Sequence, residues 1–122
     1  HVITDFIKMA KKEGVIKMRT DGSESRQFLY AEDACEALFH FAKKYSKLPK
    51  DKEYHISSFE WNTVREIADF LDVVASCEVI PSDRKDETQK NAMNEPDPFI
   101  LKYWKPKTSL KDGIMKLYNL ED

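Results

Sequence analysis

The sequence predicts an α/β fold with few, short strands. Three observations carry that expectation. Apolar residues recur at helical spacing in four separate stretches, short strand-like runs fall between them, and the two kinds of element alternate. The predicted order is helix, strand, helix, strand, helix, strand, long loop, helix.

The first helix is read from Val2, Ile3, Phe6, Ile7 and Ala10, with Lys8, Lys11 and Lys12 outside them and Gly14 as the stop. Val15 to Met18 reads as a short strand, and Asp21-Gly22 as the tight turn after it. Arg26 then stands between that turn and a short apolar, strand-like stretch. A guanidinium on so short a lever suits bidentate contact with a phosphate. Glu32 and Asp33 favour the start of the second helix through capping and the helix dipole. Ala34, Leu38, Phe41 and Tyr45 form its apolar stripe, with Cys35 and Ala42 beside it. Lys47 to Lys52, with Pro49 inside, is a polar connector.

Glu53 to Ser57 reads as the next strand. Thr63-Val-Arg-Glu66 is a capping box, and the helix it opens turns Val64, Ile67, Ala68 and Leu71 inward. Cys77 to Ile80 is a third short strand, ended by Pro81. Residues 82–98 form a polar, turn-rich loop, longer than an ordinary connection and therefore functional or mobile. Ser109 and Asp112 carry the capping signature of a last helix, with Ile114, Leu117 and Tyr118 on its apolar side. No repeat or low-complexity tract is present.

Composition narrows the function classes. A chain of 122 residues makes one domain at most, and 41% apolar with 34% charged residues suits a globular protein rather than a disordered one. No apolar run approaches the roughly 20 residues that span a bilayer, so no membrane partner is expected. A net charge of −2 with mixed signs argues against nucleic acid, while leaving room for a local cationic pocket. Cys35 and Cys77 lack metal or redox spacing and are expected to be buried, reduced thiols of a cytoplasmic protein. Nor do the three histidines show zinc-ligand spacing. The chain enters its first amphipathic pattern at His1, so residues 1–122 are expected to be a region of a longer protein.

The run Ser25-Arg-Gln-Phe-Leu-Tyr-Ala-Glu-Asp33 resembles the G-x-x-x-x-R-[DQ]-F-[IL]-Y-V-x-D segment of extended short-chain dehydrogenase/reductases that remodel nucleotide sugars. His1 to Ile7 resembles the helix that precedes this segment and helps line the substrate cleft. Tyr54-His-Ile-Ser57 with Thr63-Val-Arg-Glu-Ile67 is similar to the family's Y-N-I-[GS] strand and T-[VI]-x-E-[IL] helix. Leu101-Lys-Tyr-Trp-Lys-Pro106 and Thr108-Ser-Leu-Lys-Asp-Gly-Ile114 resemble its terminal L-G-W-x-P-x-x-[ST]-L-x-x-G-[IL] signature. The chain departs from the pattern at Thr20, Ala31, His55 and Tyr103, and carries Gln27 in place of the commoner Asp.

The resemblance implies a small substrate-binding subdomain, with the Rossmann core absent, in an NAD-dependent epimerase/dehydratase. It implies that Arg26 contacts the diphosphate of a nucleotide sugar and that Arg84, on the long loop, closes from the opposite side. Lys85 and Lys90 are supporting cations. Ile16 and Met18, on the strand before the loop, are further substrate contacts, with packing as their alternative use. The stretch Arg84-Lys-Asp-Glu-Thr-Gln-Lys90 looks most like the K-P-D-G-T-x-[RK]-K loop of GDP-fucose synthases, with Glu87 replacing the glycine.

In that family a nicotinamide carries the hydride and a Tyr-x-x-x-Lys pair serves as acid and base. Only three glycines occur here, well separated, and they make no phosphate-cradling turn. The one literal Tyr-x-x-x-Lys, Tyr103 to Lys107, contains Pro106, which stops a helix from placing both on one face. The expectation is therefore no catalytic residue, no metal and no cofactor bound by this chain. NAD or NADP would be held by its own N-terminal Rossmann domain, and the full-length enzyme would be a homodimer. The rival is a non-catalytic α/β interaction module, with Arg26 paired to Glu32 or Asp33 and Arg84 to Asp83, Asp86 or Glu87. Asp33 is read as a helix cap, Trp61 and Trp104 as anchors, and His40 and His55 as structural.

Overall fold

A computed structural model describes residues 1–89 and 93–121. Helix α1 spans Val2–Glu13 and leads through Gly14 to strand β1, Val15–Lys17. Gly14 takes the left-handed conformation that closes the helix, and its N–H bonds the carbonyl of Ala10. Strand β2 is only Ser25–Arg26, followed by helix α2, Ala31–Lys44. Strand β3, Asn62–Thr63, runs straight into helix α3, Val64–Ala75. Strand β4, Glu78–Ile80, precedes the long loop, and helix α4, Leu110–Leu120, comes last.

Two small ladders organise the chain. β1 pairs in parallel with β4, Ile16 facing Val79, and β2 pairs antiparallel with β3, Ser25 opposite Thr63 and Arg26 opposite Asn62. The fold class is thus α/β, as expected. Glu53 to Ser57 corrects one expectation: it forms no strand and runs irregularly. A strand needs a neighbour to take its amides and carbonyls, and none lies beside this stretch among the described residues.

The capping box forms as read. Thr63 Oγ1 accepts the N–H of Glu66 at 3.1 Å, and the Glu66 carboxylate accepts the N–H of Thr63 at 2.7 Å. The helix so started buries Val64, Ile67, Ala68 and Leu71, the four residues expected inward. They join Phe6, Ile7 and Ala10 of α1, Ile16 of β1 and Ile114 of α4 in the main core. Gly22, at φ 81°, lets the turn before β2 sit on the start of α3. A Cβ there would meet Arg65 at 2.9 Å.

Helix α2 departs from its predicted packing. Its buried residues are Asp33 and Ala37, while Leu38 and Tyr45, two members of the predicted stripe, are 62% and 66% exposed. Phe39 is 65% exposed, and Cys35 is exposed rather than buried. The periodicity was real, but α2 carries apolar residues on two faces. Its inner face packs a second cluster of Ala37, Ile100 and Trp104, flanked by Phe41, Tyr54 and Phe59.

Asp33 does not cap α2, whose first turn receives no side-chain hydrogen bond from its N-cap, Tyr30. It is 4% exposed, and one carboxylate oxygen accepts the N–H of Lys107 at 3.1 Å and that of Thr108 at 2.8 Å. The acid stabilises the start of α4's approach rather than its own helix.

Candidate functional site

The two ladders place the chain after β4 alongside the turn that leads to β2. Met18 donates its N–H to Ile80 O at 2.9 Å, Ser82 to Thr20 O at 3.0 Å, and Asp21 to Arg84 O at 2.7 Å. Residues 80–89 and 18–26 therefore run side by side, although some sixty positions separate them in sequence.

Arg26 is fixed by β2. Its Nη1 donates to the neighbouring carbonyl of Ser25 at 2.9 Å, and its Nη2 donates to Asp86 Oδ2 at 2.8 Å, with both side chains partly exposed. The ion pair is with neither Glu32 nor Asp33, the partners considered from the sequence. The other oxygen of Asp86 accepts the N–H of Thr88 at 2.9 Å and the Thr88 hydroxyl. The Thr88 hydroxyl, then Arg26, then the Thr88 amide lower the Asp86 pKa to about 2, so its carboxylate stays ionised at neutral pH.

Gln89 adds a second tie. Its side-chain carbonyl accepts the N–H of Ser25 at 2.6 Å, and its amide nitrogen donates to Ser25 O. One side-chain amide thus pairs with both backbone groups of a strand residue. Beyond Arg26 opens a cavity of about 280 Å³, lined by Arg26, Gln27, Trp61, Thr88, Gln89 and Asn94. A second, of about 210 Å³, lies between Glu24 and Ser25 on one side and Lys85, Asp86 and Met93 on the other. Glu24 holds the Thr20 hydroxyl at 2.6 Å through Oε1, while its buried Oε2 has no hydrogen-bond partner among the described residues.

Of the other expected site residues, Arg84 is exposed, and the bonds that hold it are backbone ones: its N–H donates to Ser82 Oγ at 3.2 Å and its carbonyl accepts the N–H of Asp21 at 2.7 Å. Lys85 is exposed close to Asp21, whose carboxyl is lowered first by the Ser23 hydroxyl and amide and in lesser part by that lysine's charge. Lys90 lies outside the described residues. Ile16 is fully buried and Met18 is buried beside it in the main core, so packing is the use the fold makes of both. Their side chains alternate into the core because the β1 segment is covered by α1 and α3.

The aromatic residues act as anchors. Trp61 Nε1 donates to Glu95 at 2.7 Å, and Asp97 donates its N–H to His55 Nδ1 at 2.8 Å. That bond makes Nε2 the protonated nitrogen of a neutral His55, facing Glu53 at 3.0 Å. Tyr103 stacks edge-on to Phe99 and Tyr54, while Lys107 pairs with Glu36. The two do not meet.

Sequence reasoning missed Asp86 and Gln89 as site-forming residues. The Asp-x-Thr spacing of Asp86 and Thr88 signals a local turn in which the side chain bonds the amide two residues on. Nothing in the sequence says which arginine that turn faces.

Residues 1–57 match the profile of the NAD dependent epimerase/dehydratase family. A GDP-L-fucose synthase of Sinorhizobium fredii (strain NBRC 101917 / NGR234) is 28% identical over 126 residues, which cover 97% of this chain and 39% of that protein. Among solved structures, the NAD-dependent NDP-hexosamine 5,6-dehydratase TunA superposes with a TM-score of 0.76 at 15% identity, over 100% of this chain and 41% of its own. The UDP-glucose 4-epimerase of Thermotoga maritima, solved with UDP-glucose, gives 0.71 at 18% identity, over 98% of this chain and 38% of its own. The chain thus spans about two fifths of the length of the proteins it resembles.

Proposed function

We propose that this chain, a relative of the NAD dependent epimerases and dehydratases with GDP-L-fucose synthase among its homologues, is the substrate-binding part of an NAD(P)-dependent nucleotide-sugar enzyme. Arg26 and Arg84 would be its diphosphate clamp, with Lys85 and Lys90 as supporting charge. The observation that supports this reading is the side-by-side course of residues 18–26 and 80–89, which lays the two arginine-bearing segments next to each other. Two delocalised guanidinium groups match two linked phosphates in geometry and charge. Binding energy taken from the diphosphate would orient the sugar, whose chemistry lies elsewhere.

The dinucleotide does not fit the residues present. Gly14 ends α1, Gly22 packs against Arg65 and Gly113 packs against Tyr30, so none of the three opens a phosphate-cradling turn. No hydride step is therefore assigned to these residues. The nicotinamide would be held by a Rossmann part like that of longer relatives. The exposed Leu38 and Phe39 of α2, with Tyr45 just past its end, offer that part an apolar face. A homodimer is proposed for the protein of that length. The same exposed face favours one rival, an α/β module that docks a protein and binds no nucleotide.

Thermal protection separates the two. UDP-glucose and GDP-fucose at millimolar concentration are expected to raise the melting temperature of the wild-type chain, and Arg26→Ala to abolish the rise. No rise with any nucleoside diphosphate or its sugar would leave only the docking module.

A further inference from the structure

We propose that Asp86 is a built-in competitor for the anion site of Arg26, and that residues 86–89 form a latch which an incoming phosphate must open. The inference rests on the reading of Arg26 as a phosphate ligand.

A carboxylate and a phosphate use the same guanidinium donors, and Asp86 Oδ2 occupies Nη2 of Arg26 at 2.8 Å. That carboxylate is pre-aimed. Thr88 holds its second oxygen through both amide and hydroxyl, and Gln89, one residue on, fastens the segment to both backbone groups of Ser25. Between residues 86 and 89 the ties to β2 that the structure shows are made by side chains. Each can be exchanged for water without breaking a backbone ladder.

The guanidinium also borders the 280 Å³ cavity shared with Gln27, Trp61, Thr88 and Gln89, so a ligand reaching Arg26 through it meets the 86–89 segment directly. A tethered carboxylate acts at an effective concentration in the millimolar range, which sets the threshold a free anion has to pass. The apparent affinity for any phosphate is then reduced by the fraction of molecules whose latch is open. Weakly binding monoanions would be turned away at ordinary concentrations. A diphosphate that also reaches Arg84 or Lys85 would replace the lost pair with additional contacts.

Two variants loosen the latch differently. Asp86→Asn removes the competing charge in an isosteric side chain, and Gln89→Ala removes the tie to Ser25 without changing any charge. Calorimetric titration with inorganic pyrophosphate, GDP and UDP is expected to give about 3- to 10-fold tighter binding in each variant than in the wild type. Circular dichroism and melting curves confirm that the fold is kept. A gain in Asp86→Asn with none in Gln89→Ala would reduce the effect to a change in local charge, and the latch would be wrong. Equal or weaker binding in both overturns it as well. Arg26→Ala tells the two ideas apart. If it leaves anion affinity untouched, the assignment of Arg26 itself fails. If it weakens binding while neither latch variant strengthens it, only the competitor role is lost.

Discussion

Asp33 and Thr108 stand 75 positions apart, yet the carboxylate of one accepts the N–H of the other at 2.8 Å and that of its neighbour Lys107 at 3.1 Å. This contact joins α2 to the segment entering α4, and with it the second cluster to the main core. Charge-assisted bonds from a buried acid to two otherwise unpaired amides are the costly kind to remove. Asp33→Ala is expected to lower unfolding free energy by about 2–3 kcal/mol in urea titration. Asp33→Asn, which keeps one accepting oxygen, should lose less.

The clamp predicts a division of effects between ligands. Arg26→Ala is expected to weaken GDP-fucose or UDP-glucose binding by roughly 10- to 100-fold, from the loss of a charged hydrogen-bonding partner. Arg26→Lys should recover only part, since an ammonium cannot make the paired contact. In a protein of the relatives' length, Arg26→Ala and Arg84→Ala should leave NAD(P) affinity within a factor of about two. Equal losses for both ligands would remove the arginines from the substrate site.

Two backbone features give stability predictions independent of function. Thr63→Ala deletes half of a formed capping box and should cost about 1 kcal/mol. Gly22→Ala forces a left-handed residue and drives a methyl group to within 2.9 Å of Arg65. It should cost more than the roughly 1 kcal/mol that a left-handed non-glycine alone demands. The ranking, read from chemical denaturation, is the check.

Acid titration tests the Arg26–Asp86 pair. The Asp86 carboxyl is lowered from an ordinary 3.8 to about 2 by the Thr88 hydroxyl, then Arg26 and the Thr88 amide. A carboxyl whose folded pKa lies below its unfolded one binds fewer protons when folded. Its stabilising contribution is therefore complete above pH 3.8 and fades as pH falls towards 2. Asp86→Asn should flatten the loss of stability in that window, and between pH 6 and 8 it should lower stability by a constant amount without changing its slope against pH. An identical acid profile in the two proteins would show that the pair makes no difference to folding.

Much of the fold was legible because its signals are local. Gly14, the Thr63–Glu66 box and the Ser109–Asp112 spacing each announce a helix end through the few residues beside it, and each forms as read. Leu38 and Tyr45 were harder. Helical period shows that a face is apolar, but not that something covers it, and α2 has two such faces. Glu53 to Ser57 has the pattern of a strand without the neighbour that makes one. At the candidate site, the motif and the turn single out Arg26 in the sequence. The charge opposite it, Asp86, comes from 60 residues away and became visible only once β1 had paired with β4.

The Gln89 amide has a consequence for how copies of this chain meet one another. Ser25 faces away from β3 with both of its peptide groups engaged by that one side chain. A two-residue ladder would otherwise present a bare donor on its outer margin, beside a carbonyl that the Arg26 guanidinium also bonds; bare strand margins are the feature through which strands of separate molecules add to each other. By imitating a neighbouring peptide, Gln89 closes that margin, so self-association by strand addition is blocked here for as long as the glutamine stays in place.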